Sequence, residues 1–439
     1  MENEREYKEK LDHTILESLK SPSPLYWLAL ALSSLAFLGG LVIPLTLQSL
    51  IGIGLAHINN PVGWGVYITN FVFWVGIAHS GTLISAVLFL FRAKFRSSFN
   101  RSAEAMTVFA VLTAGLFPLI HLGRIWLFYW LFPYPNQRQL WVNFRSPLIW
   151  DVFAVNTYLT VSCIFFYVGL IPDLAMLREK TTGVRKWFYG ILSLGWKGSK
   201  KQWVHYAQIY LFLAAFATPL VVSVHSVVSW DFAMGIVPGW HATIFAPYFV
   251  AGAIFSGCAM VLTLVIPMRK IYRLEKYITM DHFNSLVKLL IVTSLVVGYS
   301  YFIEFATAFY NGQTFEVAIF KYRPTGDYAV KFWLMVICNC LIPLTLFIRK
   351  LRFNLTYLFI VSIFINIGMW LERFNIIVTS LSHEFDPYGW GLYSPSIVEI
   401  LITIGSFGFF FTLFLIFTKV LPVIAVTEVK EVALSHHDH

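Results

Sequence analysis

The chain has 439 residues, of which 58% are hydrophobic and only 13% charged. A soluble domain carries about 25% charged residues, so this composition excludes an ordinary globular protein and points to lipid. The net charge of +9 does not indicate nucleic acid, because the basic residues fall in short clusters between apolar runs.

In chain order, a charged N-terminal segment of mixed sign comes first and contains nothing like a cleavable signal. Ten apolar segments then reach the roughly 20 residues needed to cross a hydrocarbon core. They are expected at 25–48, 67–91, 105–131, 148–172, 204–229, 243–267, 285–310, 329–348, 355–381 and 396–421. Ser23-Pro24, Ser146-Pro147 and Ser394-Pro395 read as helix starts, serine capping free N–H groups and proline suiting the first turn. With the N-terminus inside, the inner segments carry 22 Lys and Arg residues and the outer loops 4. That asymmetry places both termini in the cytoplasm.

The expected fold is an all-α polytopic membrane protein. Helices 2–5 and 6–9 run in matching directions, which suggests two four-helix bundles flanked by peripheral helices 1 and 10. The corresponding divisions are 1–24 (cytoplasmic segment), 25–66 (helix 1 and an outer interfacial loop), 67–229 and 230–381 (the bundles), 382–423 (outer loop and helix 10) and 424–439 (cytoplasmic tail).

Cys163, Cys258, Cys338 and Cys340 lie within apolar runs, and neither C-x-x-C nor C-x-x-C-H occurs. Iron–sulfur ligation and c-type haem attachment by this chain are therefore not expected, nor is a metal site.

Ionisable side chains inside membrane helices are costly and usually functional. Here they are His79, His121, Arg124, Asp151, His225, Glu304, Glu372 and Arg373. In LFPLIHLGRIWLFYWLF (116–132), a continuous helix would project His121 and Arg124 from one face. Asp151, early in the next helix, would then face one of them. One reading is an Arg124–Asp151 ion pair that staples two helices. The other is a quinol site in which the imidazole accepts a hydroxyl proton, the carboxylate holds or relays it, and the arginine tunes both. Trp126, Phe128, Tyr129, Trp130, Trp141, Phe144 and Trp150 would line a flat slot or form an interfacial belt. His79, at about 18 Å depth, and His121, at about 15 Å, would also suit a b-type haem, whereas His225 has no expected partner. Glu304 and Glu372 lack basic neighbours within their segments apart from Arg373, which suits proton transfer. Asp173 reads as a helix-end residue.

Several long blocks carry a resemblance: HLGRIWLFYWLFPYPN (121–136), LWVNFRSPLIWDVFAVNTYLT (140–160), YVGLIPDLAMLR (167–178), the stretch 218–257, and GMWLERFNIIVTSLSHEFDPYGWGLYSP (368–395). With these the chain resembles the NrfD/PsrC family of quinone-interacting membrane subunits, most of all its C-type branch in alternative complex III, with the F-type paralogue left open. The resemblance implies a protein without a prosthetic group, in the bacterial inner membrane, that oxidises a quinol near the outer face. Menaquinol is the expected form, with ubiquinol left open. It implies an adjacent iron–sulfur subunit that takes the electrons, multihaem and monohaem c-type cytochrome subunits beyond it, and a second NrfD-like membrane subunit. The family's quinol-site histidine and aspartate fall on His121 and Asp151; Arg124 and Arg145 join them by proximity. His79, His225, Glu304 and Glu372 are candidates for a proton path, with pumping left open. The rivals are a proton-coupled secondary transporter, which would need broken helices in both halves, and a b-type cytochrome.

Overall fold

The computed structural model describes residues 2–20, 23–91, 93, 96, 98–133 and 147–435. Among these there is no strand, and ten helices are long and apolar enough to cross a membrane. In chain order, spans 1 to 10 are Pro24–Ile51, Val66–Leu90, Asn100–His121, Ile149–Lys180, Lys200–Ala233, Phe245–Ile271, Met280–Asn311, Ala329–Phe347, Leu355–Ser382 and Ile397–Val420.

Span 2 packs along span 3 and span 4 along span 5, and the two pairs close into one bundle. Span 6 packs on spans 7 and 9, and span 9 on span 8, forming the second bundle. The bundles meet where span 6 lies against spans 2 and 5. Spans 2 and 6 are accordingly the most enclosed, with 83% and 78% of their apolar windows buried, against 17% for span 1. Span 1 lies outside both bundles and packs chiefly on span 10. A Cβ at Gly40 would come within 2.8 Å of the Leu401 carbonyl, so the two backbones approach as closely as glycine allows. Short π-helical turns interrupt spans 1, 2, 8 and 9 at Phe37–Val42, Leu83–Val87, Ile337–Leu341 and Asn375–Thr379.

The helix boundaries differ from expectation at informative places. Ser23 caps span 1 by accepting from the Tyr26 N–H, as its Ser-Pro pair predicts. Span 10 instead starts after Ser396, whose hydroxyl accepts from Glu399 while the Glu399 carboxylate accepts from the Ser396 N–H. Such a reciprocal box outcompetes the nearby Ser394-Pro395 signal. Ser146 lies outside the described residues. Span 4 continues to Lys180 rather than ending near Pro172. Asp173 is therefore not at a helix end: it is buried and 2.9 Å from the Arg101 guanidinium.

The largest correction concerns span 3, which ends at His121 and not near residue 131. Gly123 adopts φ +76°, and a Cβ there would collide with Ile53 at 2.8 Å. Only glycine makes this turn cheaply. Residues Ile125–Leu131 follow as a 3-10 segment, and Arg124 precedes them in extended conformation.

Candidate functional site

The last turn of span 3 is fixed from outside. Gln48 of span 1 donates to the Ile120 carbonyl at 2.8 Å, and Tyr67 of span 2 donates to Gln48. The Gly123 N–H also bonds the Ile120 carbonyl, at 3.0 Å. With the helix stopped there, His121 sits at the edge of a cavity of about 500 Å³. Asp151 from the start of span 4 and Asp231 from the end of span 5 line the same cavity. Their carboxyl groups lie within hydrogen-bond reach of each other. One nitrogen of His121 (Nδ1) and one oxygen (Oδ1) of each aspartate are buried without a protein hydrogen-bond partner. Buried polar atoms are nearly always paired, so three orphans converging on one cavity mark a place built for a polar ligand.

The remaining lining is apolar: Trp64, Phe71, Val111, Gly115, Pro118 and Leu159 among others. Trp64 is itself stacked on Trp240, with ring centroids 5.7 Å apart. The rim includes Leu112, Phe128 and Phe132, all exposed on the outer surface of the bundle. The cavity thus opens sideways between spans 3 and 4, where lipid would lie. Of the seven expected aromatics, Phe128 lines it. Trp126 and Trp130 are exposed, Trp150 packs edge-on against Trp230 at 6.1 Å, and Trp141 and Phe144 lie outside the described residues.

The expected pairing of Arg124 with Asp151 does not form. The helix ends before residue 124, so the three-residue spacing no longer shares a face, and Arg124 is exposed. Arg145 lies outside the described residues. Asp231 takes the place expected for arginine, and the sequence reading missed it. Its signal was an acidic residue at the outer end of an apolar run, in SWDFAMG, three residues from the helix end.

His79 and His225 face one another where spans 2 and 5 meet, with ring centroids 4.5 Å apart. His225 therefore does have a partner at its depth. His79 also bonds the Val75 carbonyl at 2.6 Å and stacks on Tyr158 at 4.9 Å. The structure pairs His79 with His225 instead of His121, and the two imidazoles abut with no gap for a macrocycle between them. Both nitrogens of His225 and Nε2 of His79 lack protein partners.

The second bundle has its own polar cluster. Glu304 of span 7 lies 3.8 Å from Arg323, which comes from the connecting helix Thr314–Thr325. The sequence reading left Glu304 without a cation because Arg323 is in a loop-side helix. Glu372 pairs with the adjacent Arg373 at 2.6 Å and accepts from the Tyr301 hydroxyl. Arg373 also sits over the Phe249 ring at 4.3 Å, and Asn339 donates to Tyr301 at 2.8 Å. Between Glu304 and Glu372 is a cavity of about 20 Å³, room for about one water.

A third buried cluster lies at the opposite end of the first bundle. Arg101 bridges Glu104 at 2.8 Å and Asp173 at 2.9 Å, and Arg96 meets Glu428 at 3.1 Å. Thr427 donates to Asp173 from its backbone and its hydroxyl, which ties the C-terminal helix Val426–Ser435 to the bundle. Among the described residues no group of three or more His, Cys, Asp or Glu is arranged to hold a metal ion.

The sequence profile described as "Polysulphide reductase, NrfD" matches residues 54–383. The chain is 26% identical to a Halobacterium salinarum protein described as the C-type membrane subunit of a dimethyl sulfoxide reductase, over 79% of this chain and 80% of that one. It is 21% identical to the Hdr-like menaquinol oxidoreductase integral membrane subunit of Archaeoglobus fulgidus, over 86% and 89%. It is 23% identical to the C-type subunit of the selenate reductase of Mesobacillus selenatarsenatis, over 92% and 95%.

Proposed function

The chain belongs to the family described as polysulphide reductase, NrfD, and from that membership we propose that it is the quinol-oxidising membrane subunit of an electron-transfer complex. The observation that carries this reading is the convergence of His121, Asp151 and Asp231 on a laterally open apolar cavity. A volume of about 500 Å³ accommodates a quinol ring and the start of its tail. A lipid-soluble substrate arrives through the gap between spans 3 and 4. One quinol hydroxyl donates to Nδ1 of His121 and the other to the aspartate pair. Like charges this close do not both ionise, so Asp151 and Asp231 act as one acid that carries a shared proton.

Oxidation removes two protons and two electrons. The chain's residues receive the protons, and the electrons pass to an iron–sulfur cluster on an adjacent subunit at the outer face. A second NrfD-like membrane protein and multihaem and monohaem c-type cytochromes complete the assembly, which is most like alternative complex III with this chain as its C-type member. The lysine- and arginine-rich loops support a cytoplasmic location for both termini in a bacterial inner membrane. Menaquinol is the preferred form, in keeping with the name of the Archaeoglobus fulgidus relative. The His79–His225 pair and the Glu304–Glu372 cluster extend a proton path away from the cavity, while release at the outer face requires only the aspartates.

The test is quinol:acceptor turnover of the purified complex, wild type against Asp151→Asn and Asp231→Asn, with assembly verified. Both substitutions are expected to lower turnover about a hundredfold, in the range that general acid–base catalysis supplies. Near-normal turnover in both variants, with the complex intact, would overturn the assignment.

A further inference from the structure

The connection between spans 4 and 5 folds into a surface helix, Gly183–Leu192, followed by a glycine-rich turn that enters span 5 at Ser199. It joins two spans at one end of the molecule, so it lies in the plane of the membrane surface opposite the large cavity. Val184, Trp187, Ile191 and Leu194 recur at helical spacing on one side and are 82%, 67%, 53% and 68% exposed. The other side is anchored. Tyr189 is buried and donates to the Val420 carbonyl at 2.8 Å; Tyr167 donates to Leu192 at 2.8 Å; Arg178 reaches the Trp196 carbonyl at 2.8 Å. The helix is therefore held rigidly with an apolar stripe turned away from the protein.

Charge separates this surface from a merely greasy one. From Thr181 to Trp230 the sequence contains no Asp or Glu, yet Arg185, Lys186, Lys197, Lys200 and Lys201 all fall in its first part and are all exposed. Trp196, Trp203 and Tyr206 pack edge-on beside these cations, with centroids 5.0–5.8 Å apart. An apolar stripe that dips below the headgroups, a fixed ring of cations level with them and interfacial tryptophans together have the chemistry of a surface for anionic lipid.

We propose that residues 183–201 form an interfacial site selective for anionic phospholipid headgroups, with Arg185, Lys186, Lys200 and Lys201 meeting the phosphates and Trp187 and Ile191 the acyl boundary. Neutral lipid satisfies the stripe but leaves the cations without counter-charge, which is why the site discriminates.

The experiment uses the full chain, and separately the assembled complex, in nanodiscs of phosphatidylcholine doped with spin-labelled phosphatidylglycerol or spin-labelled phosphatidylcholine. The readout is the relative association of the two labelled lipids with the protein. Wild type is expected to prefer phosphatidylglycerol, and Arg185→Gln/Lys186→Gln/Lys200→Gln/Lys201→Gln to reduce that preference at least about tenfold. These side chains are exposed, so the variant is expected to fold. A control with equal charge loss elsewhere on the same surface, Lys270→Gln/Arg273→Gln/Lys276→Gln/Lys350→Gln, is expected to keep the preference. Equal loss in the control, no preference in wild type, or a preference present in the isolated chain but abolished in the complex would overturn the proposal, the last because another subunit would then cover the stripe.

Discussion

The two bundles carry the same kind of residue at similar places and use it differently. In the first, two carboxyl groups and an imidazole meet with no cation, around a cavity of about 500 Å³. In the second, each glutamate has an arginine, at 3.8 Å and 2.6 Å, and the space between them is about 20 Å³. A buried carboxylate needs either a counter-charge or a partner that comes and goes. The second bundle supplies the former from its own chain, and the first is built for the latter. Buried acidity alone therefore does not mark a substrate site; acidity left unpaired beside open volume does.

His121→Ala bears on that contrast most severely. It is expected to lower quinol turnover of the intact complex by about a hundredfold or more, whereas removing an acid from the second bundle should leave quinol binding in place. Arg373→Met should act on stability instead. Stripping the cation from Glu372 leaves a buried charge uncompensated, at a cost of about 3–5 kcal/mol, visible as a lower melting temperature in detergent. The double variant Glu372→Gln/Arg373→Met should regain part of that loss; if it regains none, the pair matters for packing rather than charge. A smaller effect probes the cavity itself. Gly115 lines it, and a Cβ there meets nothing within 4 Å. Gly115→Phe should raise the KM for quinol about tenfold, equivalent to about 1.4 kcal/mol of binding, without lowering the melting temperature. Gly115→Ala, which adds helix propensity in open space, should leave KM unchanged. The smallest effect belongs to Arg124→Gln. Arg124 is exposed and outside the cavity, so turnover should stay within about twofold; a hundredfold loss would restore the arginine-tuned site expected from spacing alone.

Much of the fold was legible in the sequence because apolar length is a one-dimensional property. Ten spans were expected and ten are present, and the Ser23-Pro24 start fell where capping chemistry puts it. Two members of the cavity, His121 and Asp151, were also legible, since a lone ionisable residue in an apolar run advertises its cost. What the sequence hid was termination and pairing. LIHLGRIWLFYW reads as continuous helix, and only the clash of Gly123 with Ile53, some 70 positions earlier, shows why the helix stops there. Asp231, Arg323 and His225 acquire their partners from other elements: Asp151, Glu304 and His79. No local spacing rule encodes such contacts.

The glycine-tight contact between spans 1 and 10 bears on how the protein is made. Span 1 leaves the ribosome first, yet Gly40 and Tyr26 find their partners at Leu401, Gly405 and Leu415, near the other end of the chain. During synthesis the first helix must wait in lipid, unpaired, while eight others insert and assemble. Its outward face, with Leu25, Trp27, Leu28, Leu32 and Leu35 exposed, is apolar enough to wait without a partner. Closing this clasp is then a late step of biogenesis, and a chain truncated before span 10 would leave helix 1 adrift beside otherwise complete bundles.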